Sequence, residues 1–248
     1  VSLESGNKSV VIHPINNYEY NKTYTLIVTN QVQSSSDGKY LPSEIRMNFT
    51  TESAPIKPSI PTKPSEFTVC IDPGQYYSTV TGANGINAKD INLSIALKLG
   101  TILKSRGFNV VYTRTTDAVA WTQSGEDTAK ALIAKNENAD VFLSVNTNNS
   151  GATNTANGIE TYYENCDSKN KVLASNVQSE LIKATQASDR GVKLGSFPIL
   201  SKTSCPTIVT YLGFLSNTAE ETLLGGDQYK NNAAKAIANG LNQLLQAL

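Results

Sequence analysis

Histidine is almost missing from this chain: there is one, His13, in 248 residues. Imidazole is the commonest metal ligand and the usual general base near neutral pH. A hydrolytic zinc site built on two or three histidines is therefore excluded, as is a histidine-based triad away from His13. Cysteine is scarce too. Cys70, Cys166 and Cys205 are odd in number and lack metal-ligand spacing. Cys70 falls in the apolar run 67–71 and reads as a small buried hydrophobe, and a Cys166–Cys205 bridge is not favoured. Net charge is zero, 21 basic side chains against 21 acidic, so no global pull toward nucleic acid or acidic lipid is expected. No apolar run approaches the roughly 20 residues that span a bilayer, and nothing at the N-terminus has a signal-peptide pattern. The chain opens mid-pattern on Val1 and is taken as an excised segment whose targeting signals lie elsewhere.

What is present divides in two. With 39% hydrophobic and 17% charged residues the chain can build a core and carries too little charge for disorder. Residues 54–64, A-P-I-K-P-S-I-P-T-K-P, place Pro55, Pro58, Pro61 and Pro64 at every third position, the period of a polyproline II helix. A semi-rigid linker is favoured over a PxxP recognition motif. Upstream, the runs 9–13, 23–30 and 44–51 are rich in β-branched residues, with a turn at Ser35-Ser36-Asp37-Gly38. About fifty residues of antiparallel strand are too few to bury a full core alone.

Downstream the pattern becomes strand–helix alternation, which argues for an α/β domain with a largely parallel sheet. F-T-V-C-I-D (67–72) is a strand buried on both faces. Ile91, Ile95, Leu99, Ile102 and Leu103 repeat at helical spacing over 89–106, closed by Gly107. Strands are expected at 109–113, 140–145, 158–163, 197–200 and 207–212. Helices are expected at 127–138, 171–185 and 230–245. Ligands of such sheets bind where the strand C-terminal ends meet, which directs attention to the residues after Asp72, Val145 and Thr210.

Those ends read D-P-G-Q (72–75), S-V-N-T-N (144–148) and Y-L-G-F-L-S-N (211–217). Together with G-A-N-G-I-N-A-K-D-I-N-L, R-G-F-N-V-V-Y-T-R (106–114) plus Asp117, A-D-V-F-L-S-V (139–145), G-I-E-T-Y-Y (158–163) and R-G-V-K (190–193), they resemble the zinc-dependent N-acetylmuramoyl-L-alanine amidases. Enzymes of this family hydrolyse the glycan–peptide amide bond of bacterial peptidoglycan. K-T-Y-T-L-I-V-T, the D-G turn and M-N-F-T-T resemble the C-terminal half of a bacterial Ig-like domain. The implied organisation is a partial Ig-like segment (1–52), a Pro-rich linker (53–65) and an amidase-like domain (66–248).

The resemblance also marks what is changed. Its metal ligands fall on Gln75, Ala88 and Asn146, and its catalytic glutamate falls on Tyr211. Asp72, Asn148, Arg114 and Glu160 stand as the family has them. Amide oxygens are weak neutral donors, alanine offers none, and a tyrosine of ordinary pKa about 10 is a poor base at neutral pH. The remaining carboxylates, Asp72, Asp90 and Glu160, suit calcium or magnesium better than zinc hydrolysis. No cofactor is expected, zinc included. Gln75 and Asn146 are expected to pair with each other across the vacated space, and Asp72, Asn148 and Glu160 are candidate ligand-binding residues. Tyr211 with Tyr76, Tyr77 and Trp121 offers faces that stack on sugars or peptides.

Three readings follow. One is a non-catalytic peptidoglycan-binding or structural module of a bacterial cell wall or surface. The second is an active amidase with an atypical site, and the third is a protein–protein interaction module of the surface or spore envelope. The expected partners are peptidoglycan or another surface protein, with no nucleic acid and no membrane span. The N-x-S/T triplets at Asn7, Asn21, Asn48, Asn92 and Asn148 read as incidental to an Asn-rich composition.

Overall fold

The computed structural model of the chain describes residues 2–4, 9–11, 22–34, 36–51, 63–77, 80–82, 84–151, 155–164 and 168–247. The chain forms two compact units, Val1–Pro58 and Ser59–Leu248. His13, Cys166 and the prolines at 55, 58 and 61 lie outside the described residues.

The first unit contains two small antiparallel pairs. β1 (Ser2–Glu4) pairs with β2 (Ser9–Val11), and β3 (Thr23–Val28) pairs with β4 (Ile45–Thr50). The period of two puts Tyr24, Leu26 and Val28 opposite Phe49, Met47 and Ile45, so one face of the β3–β4 pair is apolar. Tyr24 stacks on Phe49 with ring centroids 5.8 Å apart.

The second unit is a six-stranded mixed sheet, in the order β6-β5-β7-β10-β8-β9, flanked by helices. Its strands are β5 (Thr68–Pro73), β6 (Asn109–Tyr112), β7 (Val141–Asn148), β8 (Ile159–Tyr163), β9 (Asp189–Leu194) and β10 (Thr207–Phe214). All neighbouring pairs are parallel except β8–β10. The longer helices are α1 (Ala88–Ser105), α2 (Glu126–Asn136), α3 (Ser168–Thr185) and α6 (Asp227–Gln246). Ile91, Ile95, Leu99 and Leu103 of α1 are fully buried, joining the core that Leu173, Val177 and Leu181 of α3 and Ile237, Leu241 and Leu244 of α6 complete. Gly240 lets α6 approach α3: a Cβ there would sit 2.6 Å from the Val177 backbone.

Three elements depart from the sequence reading. Residues 197–200, expected as a strand, enter the short helix α4 (Pro198–Lys202). Pro198 occupies its first turn, where a fixed φ and missing N–H suit a helix start. The helix α5 (Thr218–Gly225) and the strand β9 were not expected. Asn217 caps α5, its side chain accepting from the Ala219 and Glu220 N–H groups. Among the described residues no helix is long and apolar enough to cross a membrane.

Candidate functional site

The C-terminal ends of β5, β7 and β10 share one cavity of about 220 Å³. The parallel register sets Asp72 beside Ser144 and Tyr211 beside Asn146, while on its other side Tyr211 faces Glu160 of β8. Asp72, Gln75, Lys130, Ser144, Asn146 and Tyr211, with Glu126 and Asp127, supply the polar lining. Phe197, Ile199 and Val209 supply an apolar wall. Of the residues singled out in the sequence, Asp72, Gln75, Asn146 and Tyr211 are thus brought together. Ala88 instead packs, fully buried, into the main core at the start of α1.

The floor is a tight polar network around Asp72. Its carboxylate accepts from Thr113 Oγ1 at 2.7 Å and from Ser144 Oγ at 2.7 Å. Lys130 Nζ, on α2, sits 3.1 Å from Asp72 Oδ1 and 2.5 Å from Glu126 Oε1. Burial alone would push the lysine pKa down, but the two carboxylates outweigh it and hold the ammonium above its ordinary value. Lys130 is a site residue the sequence reading missed. The only signal was its i,i+4 spacing from Glu126, which on most helices marks an exposed pair.

Gln75 and Asn146 do not pair with each other. Gln75 Oε1 accepts from Asn92 Nδ2 at 2.9 Å, from the Thr147 N–H at 3.2 Å and from Thr147 Oγ1 at 3.1 Å. Asn146 Nδ2 donates to Ser144 Oγ at 3.0 Å. The reason lies in the turn after β5. Gly74 N–H bonds to the Val145 carbonyl, and Gln75 adopts φ +59°, which swings its side chain toward α1 and the end of β7. That left-handed conformation costs a non-glycine residue roughly 1–2 kcal/mol, offset here by the three hydrogen bonds. Glycine at 74 leaves room for Asn146, since a Cβ would lie 2.0 Å from Asn146 Oδ1 and the side chain would have to move.

Tyr211 joins an aromatic group with Tyr162 and Phe197, at centroid distances of 5.9 and 6.1 Å. Burial pushes its hydroxyl up to about 12, so it stays protonated at neutral pH. Tyr76, Tyr77 and Trp121 are not part of the cavity lining. Tyr76 and Tyr77 meet edge-on at 4.6 Å, and Tyr77 donates to the Trp121 carbonyl.

Glu160 and Asn148 belong to a neighbouring cluster. Asn148 Nδ2 donates to Glu160 Oε1 at 2.7 Å, and Arg190 and Lys193 reach Oε2 at 2.9 and 2.5 Å. Burial raises the Glu160 pKa, but the hydrogen bonds from Lys193 and Arg190 prevail and hold it below the ordinary glutamate range. Arg114 is positional: it donates to the Pro73 and Lys89 carbonyls and pairs with Asp117, tying the turn after β5 to α1. In the L-G-F-L-S-N stretch, Gly213 takes φ +134° at a β-bulge. Glu220 then accepts from the Phe214 and Gly158 N–H groups, locking β10 to the start of β8. Among the described residues, no three His, Cys, Asp or Glu side chains gather to hold a metal ion.

A mixed sheet with helices on both faces and a polar cleft at the strand ends is the framework of a hydrolase-type α/β domain. More particularly, the chain belongs to the N-acetylmuramoyl-L-alanine amidase family, whose model matches residues 69–243. It is 35% identical over 179 residues to the uncharacterized protein YqiI of Bacillus subtilis, covering 71% of this chain and 83% of that one. It is 34% identical over 180 residues to the sporulation-specific N-acetylmuramoyl-L-alanine amidase of the same organism, covering 71% and 67%. The catalytic domain of CwlV, an amidase from Bacillus (Paenibacillus) polymyxa, superposes with a TM-score of 0.66 at 33% identity, over 73% of this chain and 99% of that one. The CwlD amidase of Clostridioides difficile, solved in complex with the GerS lipoprotein, gives a TM-score of 0.67 at 27% identity, over 73% and 100%.

Proposed function

We propose that this chain is a non-catalytic cell-wall module, an amidase-family domain that binds peptidoglycan or supports another wall component without cutting it. The observation that carries this reading is the donor set at the strand ends. A catalytic zinc takes about three imidazole or anionic ligands and keeps one open position for water. At the positions where the resemblance sets those ligands stand a glutamine whose amide oxygen already accepts three hydrogen bonds, an alanine without a donor, and an asparagine. These residues do not fit a catalytic zinc, and Tyr211 in its apolar surroundings is no general base near neutral pH.

The relatives' wall amidases support a location at the bacterial surface and peptidoglycan as the binding target. The complex of CwlD with a lipoprotein supports a protein partner as the second reading. The apolar face of the β3–β4 pair suits half of a sandwich and supports assigning the N-terminal strands to a partial Ig-like domain. Co-sedimentation with purified insoluble peptidoglycan at low salt tests the leading reading. Pelleting with the wall, without release of peptide, is expected. Failure to pellet would transfer the function to the protein-partner reading, and zinc-dependent peptide release would overturn both.

A further inference from the structure

We infer that the cavity at the ends of β5, β7 and β10 takes a primary ammonium group carried on a short aliphatic arm. Its charge is unbalanced: Asp72, Glu126 and Asp127 line it, and among the described residues Lys130 is its only cationic side chain. Lys130 bridges Asp72 and Glu126, so that trio keeps one negative charge and Asp127 adds another. Carboxylates at a partly desolvated wall are stabilised by an arriving cation.

Unused hydrogen-bonding capacity in the same place points the same way. Glu126 Oε1 is buried against the Lys130 ammonium, 2.5 Å away, so it adds charge to the cavity wall and is not a free acceptor. Asn146 is only 6% exposed, and while its Nδ2 donates to Ser144, no donor among the described residues bonds its Oδ1. That oxygen is an acceptor, and an alkylammonium carries three donors and no acceptor.

The opposite wall fits the arm. Phe197, Ile199 and Tyr211 present apolar surface, and the two rings attract a cation held near their faces. At about 220 Å³ the space is below the ~300–1,000 Å³ of sites for whole drug-sized ligands. It therefore suits a group of side-chain size. This inference shares with the proposed function only the premise that zinc does not occupy Gln75 and Asn146.

The test is a calorimetric and NMR titration of the full chain with 1,5-diaminopentane, n-pentylamine and n-pentanol. Both amines are expected to bind in the millimolar range or tighter and to shift the Phe197 and Tyr211 ring signals, while pentanol binds at least tenfold more weakly. Asp127→Asn, at the rim, is expected to weaken amine binding several-fold, and Glu126→Gln roughly tenfold. Glu180→Gln on α3, away from the cavity, should leave it unchanged. Equal binding of amine and alcohol, or no binding of either, overturns the inference. Zinc analysis of the same sample separates failure of the shared premise from failure of amine recognition.

Discussion

Replacing Lys130 by methionine removes a cation from the cavity floor while keeping most of the side-chain volume. Asp72 is 2% exposed and the Lys130 side chain 5%. At 3.1 Å and an effective dielectric constant of about 20, their attraction is about 5 kcal/mol. Part of this is returned when the lysine no longer has to be desolvated, and Thr113 and Ser144 still hold the carboxylate. Removing one partner of a buried pair costs about 3–5 kcal/mol in comparable cases. Lys130→Met is therefore expected to lose about 3 kcal/mol, or roughly 6–12 °C in Tm for a domain of this size. Urea unfolding of Lys130→Met, Asp72→Asn and the double variant forms a cycle that isolates the pair. The double variant should recover at least ~1 kcal/mol of the summed single losses. A single-variant loss below ~1 kcal/mol, or strict additivity, would refute the view that Lys130 is held in place as the counter-charge of Asp72.

The other predictions probe the cavity and its surroundings. Gly74→Ala places a methyl 2.0 Å from Asn146 Oδ1 and should cost about 1–3 kcal/mol. Adding Asn146→Ala should return most of it, as read by thermal unfolding. Glu160 is held below the ordinary glutamate range by Lys193 and Arg190, so its contribution is present above the unfolded-state value and is lost as pH falls through the folded one. Glu160→Gln should accordingly lose about 2 kcal/mol at neutral pH and show a flatter acid limb in a stability–pH profile.

Much of the second unit was legible because its apolar residues carry a period. Ile91, Ile95, Leu99 and Leu103 define one face of α1, and the unbroken run 67–72 marks a strand covered on both sides. The segment 197–200 misled for the complementary reason: four residues are too few for periodicity to separate strand from helix. β9 is an edge strand, reading D-R-G-V-K-L, and carries no alternation to find. Its Arg190 and Lys193 meet Glu160 on the adjacent strand, a pairing that the local sequence does not show.

The site was legible by position and less so by bonding. Asp72, Gln75, Asn146 and Tyr211 meet because three parallel strands end together, which strand order implies. The partners of Gln75 depend on one backbone angle, φ +59°, and no residue pattern announces it. Lys130 stayed hidden because a buried lysine is recognised by the carboxylates around it, Asp72 being 58 positions away in the chain. Glu221 was likewise overlooked. It is buried and takes N–H groups of Asn84 and Ile86, fixing the approach to α1.

A cavity that holds its polar groups without hydrolytic chemistry, as proposed above, leaves the amide bonds of the wall intact. Purified peptidoglycan, incubated with the full chain and supplied zinc, gives the most direct reading through the new amino groups that amide cleavage would liberate. No release above a protein-free control is expected. Release that depends on zinc and stops with a chelator would show a working hydrolytic site and overturn the non-catalytic reading.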